Sequence, residues 1–210
     1  MNRKKLSLPI FALASVGASA LENPTFDEGE LVFHAGPNSV QSEEGLPGWT
    51  VSSPDLLYNG RILTSPWVSI HDLSDAENPP IEGRFSIMLQ GGNIPSGSAW
   101  IAQGLTIPSE SRSLLFRGRD LSGPQVFFEG QEIAYSPVET FPTYVLYGAD
   151  VSHFAGTAGE LRFEAHFQAT GMIDNLQFSP LVVPEPSIFA LSVIGTAALL
   201  FHGRKRILER

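Results

Sequence analysis

Hydrophobic and polar positions alternate most regularly over Glu160–Phe167, where Leu161, Phe163, Ala165 and Phe167 interleave with Glu160, Arg162, Glu164 and His166. A period of two sends successive side chains to opposite faces, so this stretch predicts a half-buried strand with those four apolar residues inward. Arg84–Gln90 repeats the pattern, with Phe85, Ile87 and Leu89 facing one way. Ser65–Ile70, Ala99–Ile107, Arg112–Arg117, Gln125–Glu129, Thr143–Tyr147 and Gly171–Phe178 read as further short strands, and the strand at Glu160 runs to Gln168. Turn chemistry punctuates them at Gly91-Gly92-Asn93, Ser122-Gly123-Pro124, Glu129-Gly130-Gln131 and Thr170-Gly171. No stretch between the termini carries a 3.6-residue period, and there is no internal repeat. Many short strands at this spacing predict an all-β domain, a two-sheet sandwich or jelly roll.

Both ends of the chain break this pattern. Met1–Ala20 has a basic start (Arg3, Lys4, Lys5), an apolar stretch over Leu6–Val16 and the small-residue site Ala18-Ser19-Ala20, which is the layout of a secretory signal peptide. At the other end Pro184-Glu185-Pro186 precedes Ile188–Phe201, a run without a charged residue, and Arg204, Lys205 and Arg206 follow. As a helix that run spans about 21 Å, short of the ~30 Å hydrocarbon core. Extending it over residues 188–203, with Arg204 and Lys205 snorkelling, gives a thin single membrane helix. The basic tail at 204–210 sets its C-terminus inside. The prolines hold the preceding segment extended and accessible.

The exported domain is then residues 21–180, long enough to bury a core without disulfides. The chain has no cysteine, so thiolate zinc sites and cysteine nucleophiles are excluded. Leu21–Ser187 holds six arginines and twenty-one carboxylates, a net charge of −15. So acidic a domain has no basic patch for a phosphate backbone, and nucleic acid is excluded as a partner. The same surplus suits Ca²⁺.

Two resemblances extend this reading. Residues 183–210, with Pro184, Glu185 and Pro186 as motif and Arg204, Lys205 and Arg206 as stop-transfer cluster, resemble the PEP-CTERM sorting signal of Gram-negative bacteria, with Lys at the middle basic position. That resemblance implies processing by an exosortase. It also implies an inner-membrane anchor before processing and a place at the cell surface or in an extracellular polysaccharide matrix afterwards. The run from Trp100 to Pro108 with Gln103 near its middle resembles the galactose-binding-like jelly rolls found in many carbohydrate-binding modules. Val126–Ile133, Tyr147–Gly156, Gly159–Phe163 and Ile173–Leu176 carry the same resemblance.

Catalytic motifs are missing: there is no G-x-S-x-G, Walker A or H-E-x-x-H. His34, His71, His153 and His166 are scattered without ligand spacing and read as solvent- or sugar-facing, and Glu43-Glu44 reads as a solvated loop. The chain is therefore expected to be non-catalytic: an exported surface or matrix protein. A glycan-binding module is the first alternative and a secreted polysaccharide hydrolase the second. Sugars stack on aromatic faces, so Trp49, Trp67 and Trp100 are the candidate glycan contacts, Trp49 foremost because Pro47-Gly48 sets it at a loop–strand junction. Asp27 near the first strand and Asp174 in the last are the candidate ligands of a structural Ca²⁺.

Overall fold

Thirteen strands make two sheets in the computed structural model, which describes residues 21–183 apart from 35, 62, 63 and 96. The expected signal peptide, the Pro184–Pro186 motif, the expected membrane span and the basic tail lie outside the described residues. Among those described, no helix is long and apolar enough to cross a membrane.

The eight-stranded sheet runs, edge to edge, β1 (Ser39–Gln41), β3 (Asp55–Tyr58), β4 (Trp67–His71), β5 (Ser86–Gln90), β13 (Thr170–Ser179), β7 (Ser113–Ser122), β11 (Val145–Asp150) and β10 (Tyr135–Thr140). The five-stranded sheet runs β2 (Thr50–Val51), β6 (Ala99–Thr106), β12 (Ala158–Ala165), β8 (Gln125–Phe128) and β9 (Gln131–Ile133). All pairings are antiparallel except β3 with β4. One helical turn, α1 (Ser42–Gly45), and a 3₁₀ turn at Ser152–Phe154 complete the described elements. The all-β sandwich is the architecture that the alternation predicts.

The core fills the space between the sheets. Ile70, Ile87 and Ile173 form one cross-strand row of the larger sheet, each with no exposed surface. Phe163 of the smaller sheet meets Phe116 of the larger edge to face, with centroids 5.2 Å apart. That geometry suits the ring quadrupoles and adds about 1 kcal/mol to the burial itself. Gln103 lies in β6 and ties the chain's start to the rim: it accepts a bond from the Glu22 amide at 2.9 Å and donates to the Gly48 carbonyl at 2.8 Å.

Three local expectations change. Phe167 is not inward: β12 ends at Ala165 and the turn through Gln168, at φ 60°, leaves the Phe167 ring 44% exposed. β5 is not half-buried, because Ser86 and Gln90 on its other face are buried as well. Five strands, β1, β2, β3, β9 and β10, go beyond the predicted eight. The first, second and fourth are two or three residues long and cannot show a period. β10 contains Pro137, which an edge strand tolerates because one row of its amides needs no ladder partner.

Candidate functional site

The outer face of the eight-stranded sheet is where polar chemistry collects. Strand alternation that sends Ile70, Ile87 and Ile173 inward sends Ser69, His71, Ser86, Met88, Gln90, Met172 and Asp174 outward. A long connection, residues 72–85, folds back over the middle of this face. Its Ile81 amide donates to Ser86 Oγ at 2.8 Å and its Glu82 amide to Asp174 Oδ2 at 3.1 Å. Glu82 pairs with Arg117 and accepts from Asn175 Nδ2 at 2.7 Å, while the Pro79 carbonyl accepts from Arg119. At the start of the connection, burial works against the charge of Asp72. Bonds from Asn59, Ser74 and Tyr58 outweigh it and hold the carboxyl at about 2.

Beneath the connection lies a hydrogen-bonded series that has the order of a catalytic relay. Ser69 Oγ is 2.9 Å from His71 Nε2, and His71 Nδ1 is 2.7 Å from Asp75 Oδ2. Ser69 and His71 have no exposed surface, and Gln90 Nε2 donates to Ser69 Oγ at 3.0 Å. A hydroxyl sealed in this way meets no substrate, so the series fastens the connection to β4 and β5. Burial lowers the His71 pKa against the pull of Asp75. The expectation of a solvent- or sugar-facing His71 is thereby corrected. His34, His153 and His166 are exposed.

On either side of the covered strip the face is open. Beyond β7 the β10–β11 hairpin presents Phe141 and Tyr144, stacked with centroids 4.6 Å apart and planes 24° from parallel. The Arg117 guanidinium sits 4.8 Å from the centre of the Tyr144 ring. These two aromatics line a cleft of about 360 Å³ together with Arg119 and Asp120. At the other end a cleft of about 380 Å³ is lined by Arg61, Gln90, Asn93, Gln168 and Thr170. A third, of about 300 Å³, lies by α1 and carries His34, Glu43, Glu44 and Asp55.

The three tryptophans do not converge. Trp49 is 6% exposed, packs against Phe26 and donates its indole N–H to the Glu22 carbonyl at 3.1 Å. Its ring offers no free face for stacking, which corrects its place as the foremost glycan contact. The Pro47-Gly48 turn does set Trp49 at a strand entry, but the turn points the ring into the core. Trp100 is on the outer face of the other sheet, with the Arg162 guanidinium 4.4 Å over its ring. Trp67 opens β4 on the outer face of the larger sheet, opposite Gln90. Phe141 and Tyr144 had no distinguishing sequence signal, since a lone aromatic before or after a turn reads equally as edge packing.

Asp27 and Asp174 both hold the end of the connection. Asp27 Oδ1 accepts from the Arg84 and Phe85 amides at 2.6 and 2.9 Å, and Asp174 accepts from Ser86 Oγ at 2.7 Å. Burial, and to a smaller extent the Asp27 charge, push the Asp174 pKa up to about 7. Gly83, at φ 64°, lets the Asp27 carboxylate close on the backbone where a Cβ would collide with it. Among the described residues no group of three or more His, Asp or Glu converges around them, and Arg117 stands opposite Asp174 across β7 and β13.

No family model and no curated protein matches the chain. Among solved structures it is similar to the enzymatically active domain of tailspike protein 4 of bacteriophage CBA120. The identity is 13% and the TM-score 0.42, over 76% of this chain but only 21% of that one. It is also similar to a family 11 carbohydrate-binding module from Clostridium thermocellum in complex with a mixed-linked tetrasaccharide. That match has 14% identity and a TM-score of 0.38 over 70% of this chain and 97% of the module. A module described as TmCBM61, in complex with β-1,4-galactotriose, matches at 14% identity and TM-score 0.37, over 76% and 96% of the two chains. Likeness at this level carries nothing about what this chain binds.

Proposed function

We propose that the described domain is a non-catalytic glycan-binding sandwich whose binding face is the outer face of the eight-stranded sheet. The Phe141–Tyr144 pair carries the reading: two stacked rings at a hairpin tip, beside an open cleft, with a guanidinium on the ring of one. Aromatic faces receive the apolar faces of sugar rings, and neighbouring polar groups take the hydroxyls. The sealed Ser69–His71–Asp75 series supports binding over hydrolysis. A cation held by Asp27 and Asp174 would neutralise the two carboxylates and supply rigidity, with no part in binding.

Delivery rests on the termini. The signal peptide exports the domain, and the Pro184-Glu185-Pro186 segment, membrane run and basic tail hand it to an exosortase, which leaves it at the cell surface or in the matrix. Intact mass tests this arm: the mature chain runs from Leu21 to near Pro184–Ser187, and a mass extending to Arg210 overturns the processing.

Retention of the intact chain in polysaccharide-loaded native gels tests the binding arm. Phe141→Ala with Tyr144→Ala is expected to abolish retention, whereas Trp100→Ala on the opposite sheet leaves it unchanged. Full retention by the double variant overturns the assignment of the face.

A further inference from the structure

The cleft at the far end of the same face differs from the other two in charge. Arg61 is its sole charged lining residue. The α1 cleft is lined by three carboxylates, and the aromatic cleft balances Arg119 with Asp120. In a chain segment with twenty-one carboxylates and six arginines, a cleft without an acid and with an arginine is an exception. Arg61 is exposed and has no ion pair among the described residues. Arg61 lines its cleft beside Gln90 of β5, and Arg119 stands in β7 opposite Met172 of β13.

Beside Gly92 and Ala169, the remaining lining side chains are the amides and hydroxyl of Asn93, Gln168 and Thr170, with the buried Gln90 behind them. Such groups suit sugar hydroxyls and repel no charge. Trp67, Gln90 and Thr170 are consecutive across β4, β5 and β13. Among the described residues, the Trp67 indole N–H is the one buried side-chain donor without a partner. Cross-strand pairing also puts Met172, two residues along β13 from Thr170, opposite Arg119, so this cleft and the aromatic cleft border the same outer face.

We propose that the Arg61 cleft receives a carboxylate-bearing sugar, so that the ligand of the outer face is an acidic polysaccharide. The proposal rests on the glycan-binding reading and names its ligand class. A guanidinium presents planar, parallel N–H donors that match a carboxylate bidentately, and it stays charged at every working pH. A domain of net charge −15 repels a polyanion at long range, so an acidic ligand needs an unpaired cation at the point of contact. A neutral ligand gains much less from one.

Binding of the intact chain to polygalacturonate and to alginate, each beside its esterified form, tests this. Esterification removes the charge and keeps the backbone. The acidic form is expected to bind about tenfold more tightly, and Arg61→Gln to erase that preference while Tyr144→Ala weakens both forms together. Equal binding of the two forms, preference for a neutral glycan, or a preference that survives Arg61→Gln overturns the acidic ligand and leaves the glycan reading standing. Retention of no glycan, acidic or neutral, overturns both.

Discussion

The outer faces of the two sheets are built from similar residues and do different things. On the five-stranded sheet, Trp100 lies under Arg162, and Arg162 reaches Glu160 at 2.8 Å and Glu164 at 3.7 Å. Gln125 bonds Glu132 at 2.9 Å on the next hairpin. Each partner is one strand or two residues away, so the face is satisfied by its own neighbours. On the eight-stranded sheet the connection supplies the partners: the Glu82 amide to Asp174, the Glu82 carboxylate to Arg117, and the Pro79 carbonyl to Arg119. A distant connection satisfies the middle of that face and leaves both ends open. A face completed by local pairs has little left for a ligand, whereas one held by a remote segment keeps shaped space beside rigid side chains.

Four substitutions break or sharpen this contrast. The largest expected effect is that of Trp49→Ala, which removes a core ring and costs about 3–5 kcal/mol in urea unfolding. A loss of glycan retention without loss of stability would return Trp49 to the binding site. Next comes His71→Ala, which removes the ring that joins Ser69 Oγ to Asp75 Oδ2 under the connection, at a cost of about 1–3 kcal/mol. Limited proteolysis should then cut within residues 72–85, and continued resistance there would show that the series does not fasten the connection.

Asp174→Asn has an effect that depends on conditions. The folded-state pKa of Asp174 stands at about 7, above the ordinary 3.8. The folded state therefore holds the proton more tightly, and this group's stabilisation is complete below about pH 4 and lost as pH rises through about 7. In EDTA the variant should lack that fall. With Ca²⁺ the wild type should melt higher and the variant should not respond. A wild-type melting temperature indifferent to EDTA and Ca²⁺ excludes the cation. The smallest effect belongs to Arg162→Ala, below about 1 kcal/mol for an exposed pair, with glycan retention unchanged. A large loss of retention would move the binding face to the other sheet.

Strand character was legible wherever one face of a strand is solvated. Glu160–Phe167 shows it: Leu161, Phe163 and Ala165 are all buried, and the pattern misleads only at Phe167, past the strand's end. β5 was legible as a strand and not as a doubly buried one, because a serine under a connection is written like a serine in water. Trp49 and Tyr144 mark the limit for the site. Composition gives both an aromatic ring near a turn, and only the path of the chain decides which ring faces the core.

The sequence by itself determined the sandwich, the acidic and cysteine-free character of its domain, and the layout of both termini, since these depend on period, composition and order along the chain. Tertiary structure alone decided that residues 72–85 cover the middle of a sheet face, that Asp27 and Asp174 both hold the end of that connection, and that Arg61 stands in a cleft without acids. These facts join residues dozens of positions apart. No local period encodes such a meeting, because the free energy that selects it comes from burial and hydrogen bonding between strands whose neighbours are set by sheet order.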